Sequence, residues 1–179
     1  MKNYILLFLA AATFSSCQPS KEKLNGRIVS MEQRLFSASV QGLSKASADS
    51  LIADYELYVK DFPTDTLSPS YLFKAAGLSM NTGDGAKAIA LFDKMIVDYP
   101  AHPKSALALF FKGYVQENLL KDLAKAKESY LLFIEKYPDN EFADDAKASV
   151  ENLGKTPEQM IREFEAKRQA DSAAMAQKK

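Results

Sequence analysis

LIADYELYVKDFP at 51–63, AIALFDKMIVDYP at 88–100 and AKESYLLFIEKYP at 126–138 are one pattern in three spellings. An aromatic stands at Tyr55, Phe92 and Tyr130, and a second large apolar residue follows at Tyr58, Met95 and Phe133. Next come Val59, Ile96 and Ile134, then Phe62, Tyr99 and Tyr137, then Pro63, Pro100 and Pro138, spaced 37 and 38 apart. Offsets of 0, 3, 4 and 7 fall on one face of an α-helix, and each large apolar side chain taken out of water there contributes roughly 1.5–3 kcal/mol. The aromatics therefore read as core, and the prolines as stops, because proline drives the residue before it out of the α region. A fixed period in this range marks a solenoid, an architecture that presents surfaces to partners.

Between the copies lie PSYLFKAAGLSMNTGDG and PKSALALFFKGYVQENLLKD. Each holds a large apolar residue four places before a glycine, Phe73 before Gly77 and Leu109 before Gly113. A helical glycine costs roughly 0.8–1.0 kcal/mol against alanine, so the two glycines imply close approach of another backbone. Ala88 stands four before Phe92 and Ala126 four before Tyr130, which lets paired helices come together. The unit is a helical hairpin, and the turn inside the second is two residues longer, around Leu119 to Asp122.

This order of large, glycine-like, alanine, aromatic and proline resembles the tetratricopeptide repeat over about 100 residues. The leucine usual before the glycine is replaced by Ala76 and Lys112. The resemblance implies an all-α, right-handed solenoid of about three hairpins, with a concave side lined by the first helix of each. Counted from the two glycines, its groove positions are Tyr71, Lys74 and Leu78, then Leu107, Phe110, Tyr114 and Glu117. That set is aromatic and aliphatic with little charge, and suits an apolar or extended peptide better than an acidic tail. Leu78 and Tyr114 stand where peptide-carboxylate clamps of the repeat family carry asparagine, so that mode is rejected. The competing expectation is that a terminal helix of the chain covers this face.

The repeat domain is expected over 24–154. Leu24, Ile28, Met31 and Leu35 make a stripe for a helix ending near Gly42, and Ser47 opens the next helix. Phe142, Ala143, Ala146 and Val150 begin a further unit. Thr156-Pro157-Glu158-Gln159 carries the signature of a helix start, with an N-cap, a first-turn proline and a capping-box partner. The resulting segment, 155–179, is expected to cap the stack by docking Met160, Ile161 and Phe164 before fraying.

With 23 basic and 23 acidic side chains, nothing draws the chain electrostatically to nucleic acid. The N-terminus does point to a membrane. Lys2, the apolar run Tyr4–Ala12 and Phe14-Ser15-Ser16 ahead of Cys17 read as a signal peptide over 1–16, too short to span a bilayer. The arrangement resembles the lipobox of bacterial lipoproteins, which implies Cys17 as the acylated first mature residue and 17–23 as a polar tether. Gln18 lacks the aspartate signal for inner-membrane retention, which favours the outer membrane, periplasm-facing.

No catalytic constellation, metal site or cofactor is indicated. His102 is the only imidazole and Cys17 the only thiol, so neither has a like ligand beside it. The expected function is a non-catalytic envelope scaffold docking a protein or peptide. In pattern it resembles the repeat domain of the Tol-Pal accessory protein and the repeat lipoprotein of the barrel-assembly complex. The alternative is a ligand- or glycan-capturing lipoprotein, disfavoured by the absence of tryptophan. Self-association through the Leu24–Leu35 stripe ranks below capping within the chain.

Overall fold

In the computed structural model, residues 19–37 and 44–176 are described, and every regular element among them is a helix. They run α1 (Lys21–Ser37), α2 (Lys45–Asp61), α3 (Ser68–Asn81), α4 (Gly85–Asp98), α5 (Lys104–Asn118), α6 (Leu123–Lys136), α7 (Ala143–Asn152) and α8 (Pro157–Ala176). Each helix from α1 to α6 packs on the next, and α3 also touches α5, as in a stack of hairpins. The expected signal peptide, Cys17, and the stretch 38–43 containing Gly42 lie outside the described residues.

The repeat is visible in its turns. Phe62, Tyr99 and Tyr137 each end a helix at φ between −130° and −135° with ψ from 51° to 56°, the departure that the following proline compels. Two residues past the prolines, Asp65, His102 and Asn140 each accept a backbone N–H from two residues on, namely Leu67, Lys104 and Phe142. His102 is thus a turn acceptor through its Nδ1, in the place that Asp65 and Asn140 occupy elsewhere. Ser68 and Ser105 then donate to the carbonyls of Phe62 and Tyr99, each at 2.5 Å. Inside the hairpins, Asp84 and Asp122 cap α4 and α6 by accepting from the amides of Lys87 and Lys125. Before those caps the chain turns left-handed, at Gly83 with φ 80° and at Lys121 with φ 56°. The longer second turn brings Leu119 and Leu120 back onto Gly85 at the start of α4, where a Cβ would stand 2.9 Å from Leu120.

The core forms two clusters. Leu24, Ile28, Tyr55, Tyr58, Leu72, Phe92 and Met95 fill the first, and Phe110, Tyr130, Phe133 and Ala146 belong to the second. Phe111 joins them, with ring centroids 6.1 Å from Phe92 and 5.7 Å from Phe110. The α1 stripe is therefore used within the chain, with Leu24 and Ile28 fully buried, and Arg27 grips Asp54 of α2 through two hydrogen bonds. Two starts differ from expectation. α1 already begins at Lys21, and α2 begins at Lys45, because Ser44 rather than Ser47 is the cap, accepting from the amide of Ser47 at 3.2 Å.

The last helix forms where the capping box places it: Thr156 and Gln159 exchange side-chain-to-backbone bonds at 2.8 and 3.3 Å. Its docking does not occur, and Ile161 and Phe164 are 58 % and 67 % exposed. Register explains this. Counted from Pro138 as the other units are from Pro63 and Pro100, the small-then-aromatic positions fall on Glu163 or Phe164 and then Lys167 or Arg168. Closing the hairpin would bury a cation without a partner, a cost that the apolar contacts do not offset.

Three buried tyrosines donate to carboxylates: Tyr55 to Glu32 at 2.6 Å, Tyr58 to Asp65 at 3.1 Å and Tyr130 to Glu117 at 2.9 Å. Burial first, and the adjacent carboxylate second, push Tyr58 up to about 12 and raise Tyr55 and Tyr130 strongly. A folded pKa above the unfolded value, ~10 for tyrosine, gives stability that is complete below pH 10 and is lost as pH rises through the folded value. Urea melts should hold level from pH 8 to about 10 and weaken progressively towards pH 12. A midpoint unchanged across that upper interval would contradict the assignment.

Candidate partner-binding groove

The first helices of the hairpins, α1, α3 and α5, lie side by side along one face. Their register follows from the turns. Ser68 and Ser105 make the same bond six residues after Phe62 and Tyr99, so α3 and α5 are offset by 37 residues, not by the 36 that separates Gly77 from Gly113. The equivalent of Gly113 is Ala76, which is fully buried, and the equivalent of Gly77 is the exposed Tyr114. Pairing the two glycines shifts the expected α3 positions by one.

The consequence is visible in the side chains. Tyr71 is buried, donating its hydroxyl to Asn25 Oδ1 of α1, with its ring 5.2 Å from Tyr55 and 4.9 Å from Tyr58. Leu78 is buried as well. Lys74 is exposed but already paired to Glu32 of α1 at 2.7 Å. In α5 the spacing is correct, yet Phe110 is buried because Phe142 at the head of α7 covers it, centroid to centroid 5.1 Å. Leu107 and Glu117 are half-buried, Glu117 holding the Tyr130 hydroxyl, and Tyr114 is 42 % exposed. Of the seven, Lys74, Leu107, Tyr114 and Glu117 keep surface, Tyr71 and Phe110 serve the core, and Leu78 is buried in the core while also lining a cleft beside Gly77.

The glycines part company. A Cβ on Gly113 would stand 2.8 Å from the Tyr130 ring, so the close approach there is by a side chain and not by backbone. A Cβ on Gly77 would meet nothing within 4 Å. Gly77 opens instead into a cleft of about 320 Å³ that also involves Phe73, Lys74, Asn81 and Lys104. Phe73, Asn81 and Lys104 were missed from sequence. The six-residue spacing from Phe62 to Ser68 and from Tyr99 to Ser105 finds Phe73, as the counterpart of Phe110, and no spacing signal points to Asn81 or Lys104.

On this face α1 meets α3 through Asn25–Tyr71 and Glu32–Lys74, Phe142 at the head of α7 covers Phe110, and the cleft beside Gly77 lies open between them. Among the described residues no group of His, Cys, Asp and Glu is placed to hold a metal ion, and no helix is long and apolar enough to cross a membrane. A family model described as YfiO, outer membrane lipoprotein, matches residues 30–179, from within α1 through the terminal helix. The chain belongs to the YfiO family. The tetratricopeptide-type lipoprotein that the sequence resembles is thus the kind of protein this is, and its place is the outer membrane. The YfiO match takes in the whole groove and begins after Cys17. A search among curated proteins finds no match.

Proposed function

We propose that this YfiO-family chain is a non-catalytic scaffold, anchored through an acylated Cys17, that docks an envelope protein in an extended conformation along the α3–α5 face. The observation that carries this reading is the open cleft beside Gly77, where a Cβ would meet nothing within 4 Å. Repeat solenoids use such concave faces for binding, and outer-membrane assembly or envelope organisation is the setting that the family suggests. A glycan-capturing role has less support, since among the described residues Tyr114 alone is an exposed aromatic on this face.

A photo-crosslinking residue in place of Tyr114 tests it in intact cells, with one in place of Val97, 74 % exposed on α4, as the control. Discrete protein adducts are expected at the groove position and none at the control. Equal labelling at both, or none at Tyr114, would remove the groove from the function. Cys17→Ser should move the chain to the soluble fraction in the same experiment.

A further inference from the structure

The cleft beside Gly77 has an asymmetric supply of charge. Of the two lysines that line it, Lys74 is neutralised by Glu32 at 2.7 Å. Lys104 lies over the Phe73 ring, 5.3 Å from its centroid, and among the described residues it has no carboxylate partner. Asn81, one turn beyond Gly77 on α3, is exposed, and among the described residues its side-chain amide makes no hydrogen bond. A free ammonium, a free amide and an aromatic wall thus border one opening.

Gly77 makes that opening. The corresponding residue of the next unit is Tyr114, so a large side chain is compatible with this position of the repeat. Glycine here lowers helix stability by ~1 kcal/mol and relieves no clash within the chain. What a missing side chain provides at a surface is room for another backbone to come close. The volume, about 320 Å³, is at the small end of ligand sites, ~300–1,000 Å³. It holds one large side chain and its flanking backbone, not a folded surface.

We infer that this cleft selects an acidic extended peptide: backbone against Gly77 and Asn81, an apolar side chain along Phe73, and a neighbouring Asp or Glu side chain on Lys104. This rests on the groove reading above and adds the chemistry of the partner.

The test is fluorescence anisotropy with the full-length lipoprotein in detergent. The probes are amino-terminally labelled, amidated peptides Gly-Ser-Leu-Glu-Leu-Ser-Gly and the same sequence with glutamine for glutamate. The glutamate probe should bind about three- to fivefold tighter, the preference of one partly exposed ion pair. Lys104→Gln should make the two probes equal, whereas Lys94→Gln on α4 leaves the preference intact. Gly77→Tyr should abolish binding of both while the thermal melt stays at least as high as that of the natural chain. Equal affinity for the two probes, binding that survives Gly77→Tyr, or no binding of either overturns the inference. Crosslinking from Tyr114 would persist in that event, leaving the scaffold role standing with a different ligand.

Discussion

Phe110→Ala lowers the stability of the solenoid by about 3–5 kcal/mol, the cost of emptying a large aromatic site in a packed core. Phe110 is one of the positions that spacing alone assigns to the groove, so the natural expectation from sequence is lost binding with stability unchanged. The structure predicts the reverse emphasis. Its ring contacts Phe111, Tyr130, Phe133 and Phe142, which belong to α5, α6 and the α7 cap, and its removal loosens all three. For a chain of this length each kcal/mol moves the melting temperature by about 2–4 °C, so a fall of roughly 6–20 °C is expected. Tyr114→Ala, four residues along the same helix but exposed, should stay within about 0.5 kcal/mol. Calorimetry of the two variants decides, and a Phe110→Ala loss below about 1 kcal/mol would show that the α7 contact is not formed.

Gly113→Ala and Gly77→Ala should move stability in opposite directions. Both remove a helical glycine and gain roughly 0.8–1.0 kcal/mol in helix propensity. At Gly113 the added methyl meets Tyr130 Cε1 at 2.8 Å and Cδ1 at 2.9 Å. That ring is fully buried and held at its far end by Glu117, so it has no free direction in which to yield. Overpacking of this kind costs about 1–3 kcal/mol, which leaves a net loss of up to about 2 kcal/mol once the propensity gain is subtracted. At Gly77 nothing opposes the gain, and the variant should be more stable than the natural chain. Two urea denaturation curves with the same slope and midpoints displaced to either side of the natural one are the expected picture. Destabilisation by Gly77→Ala would mean that the cleft is closed in solution.

The hairpin repeat was legible because it is written redundantly. Aromatics, small residues and prolines recur at fixed offsets, and each unit must bury the same face. The groove was only half legible. Gly77 and Gly113 look like counterparts, but the turn bonds of Ser68 and Ser105 make the fully buried Ala76 the counterpart of Gly113. A one-residue slip then turned core residues Tyr71 and Leu78 into groove residues. The open place of α8 was readable in principle, from Lys167 and Arg168 at the aromatic positions. An apolar stripe of Met160, Ile161 and Phe164 masked it, because local amphipathicity says that a helix has a face and not that a site exists to receive it. Phe110 was misjudged for the opposite reason: its cover, Phe142, is 32 residues away and outside the unit being read.

α1 starts at Lys21, whose ammonium meets Asp65 in the turn between α2 and α3 at 2.9 Å. With Cys17 acylated as proposed, only residues 18–20 separate lipid from helix, and four residue steps reach at most ~14 Å even fully extended. The leash is shorter than the solenoid it holds. On that reading the foot of the solenoid is held at the bilayer surface, and a client would meet the docking face there instead of being fetched from a distance.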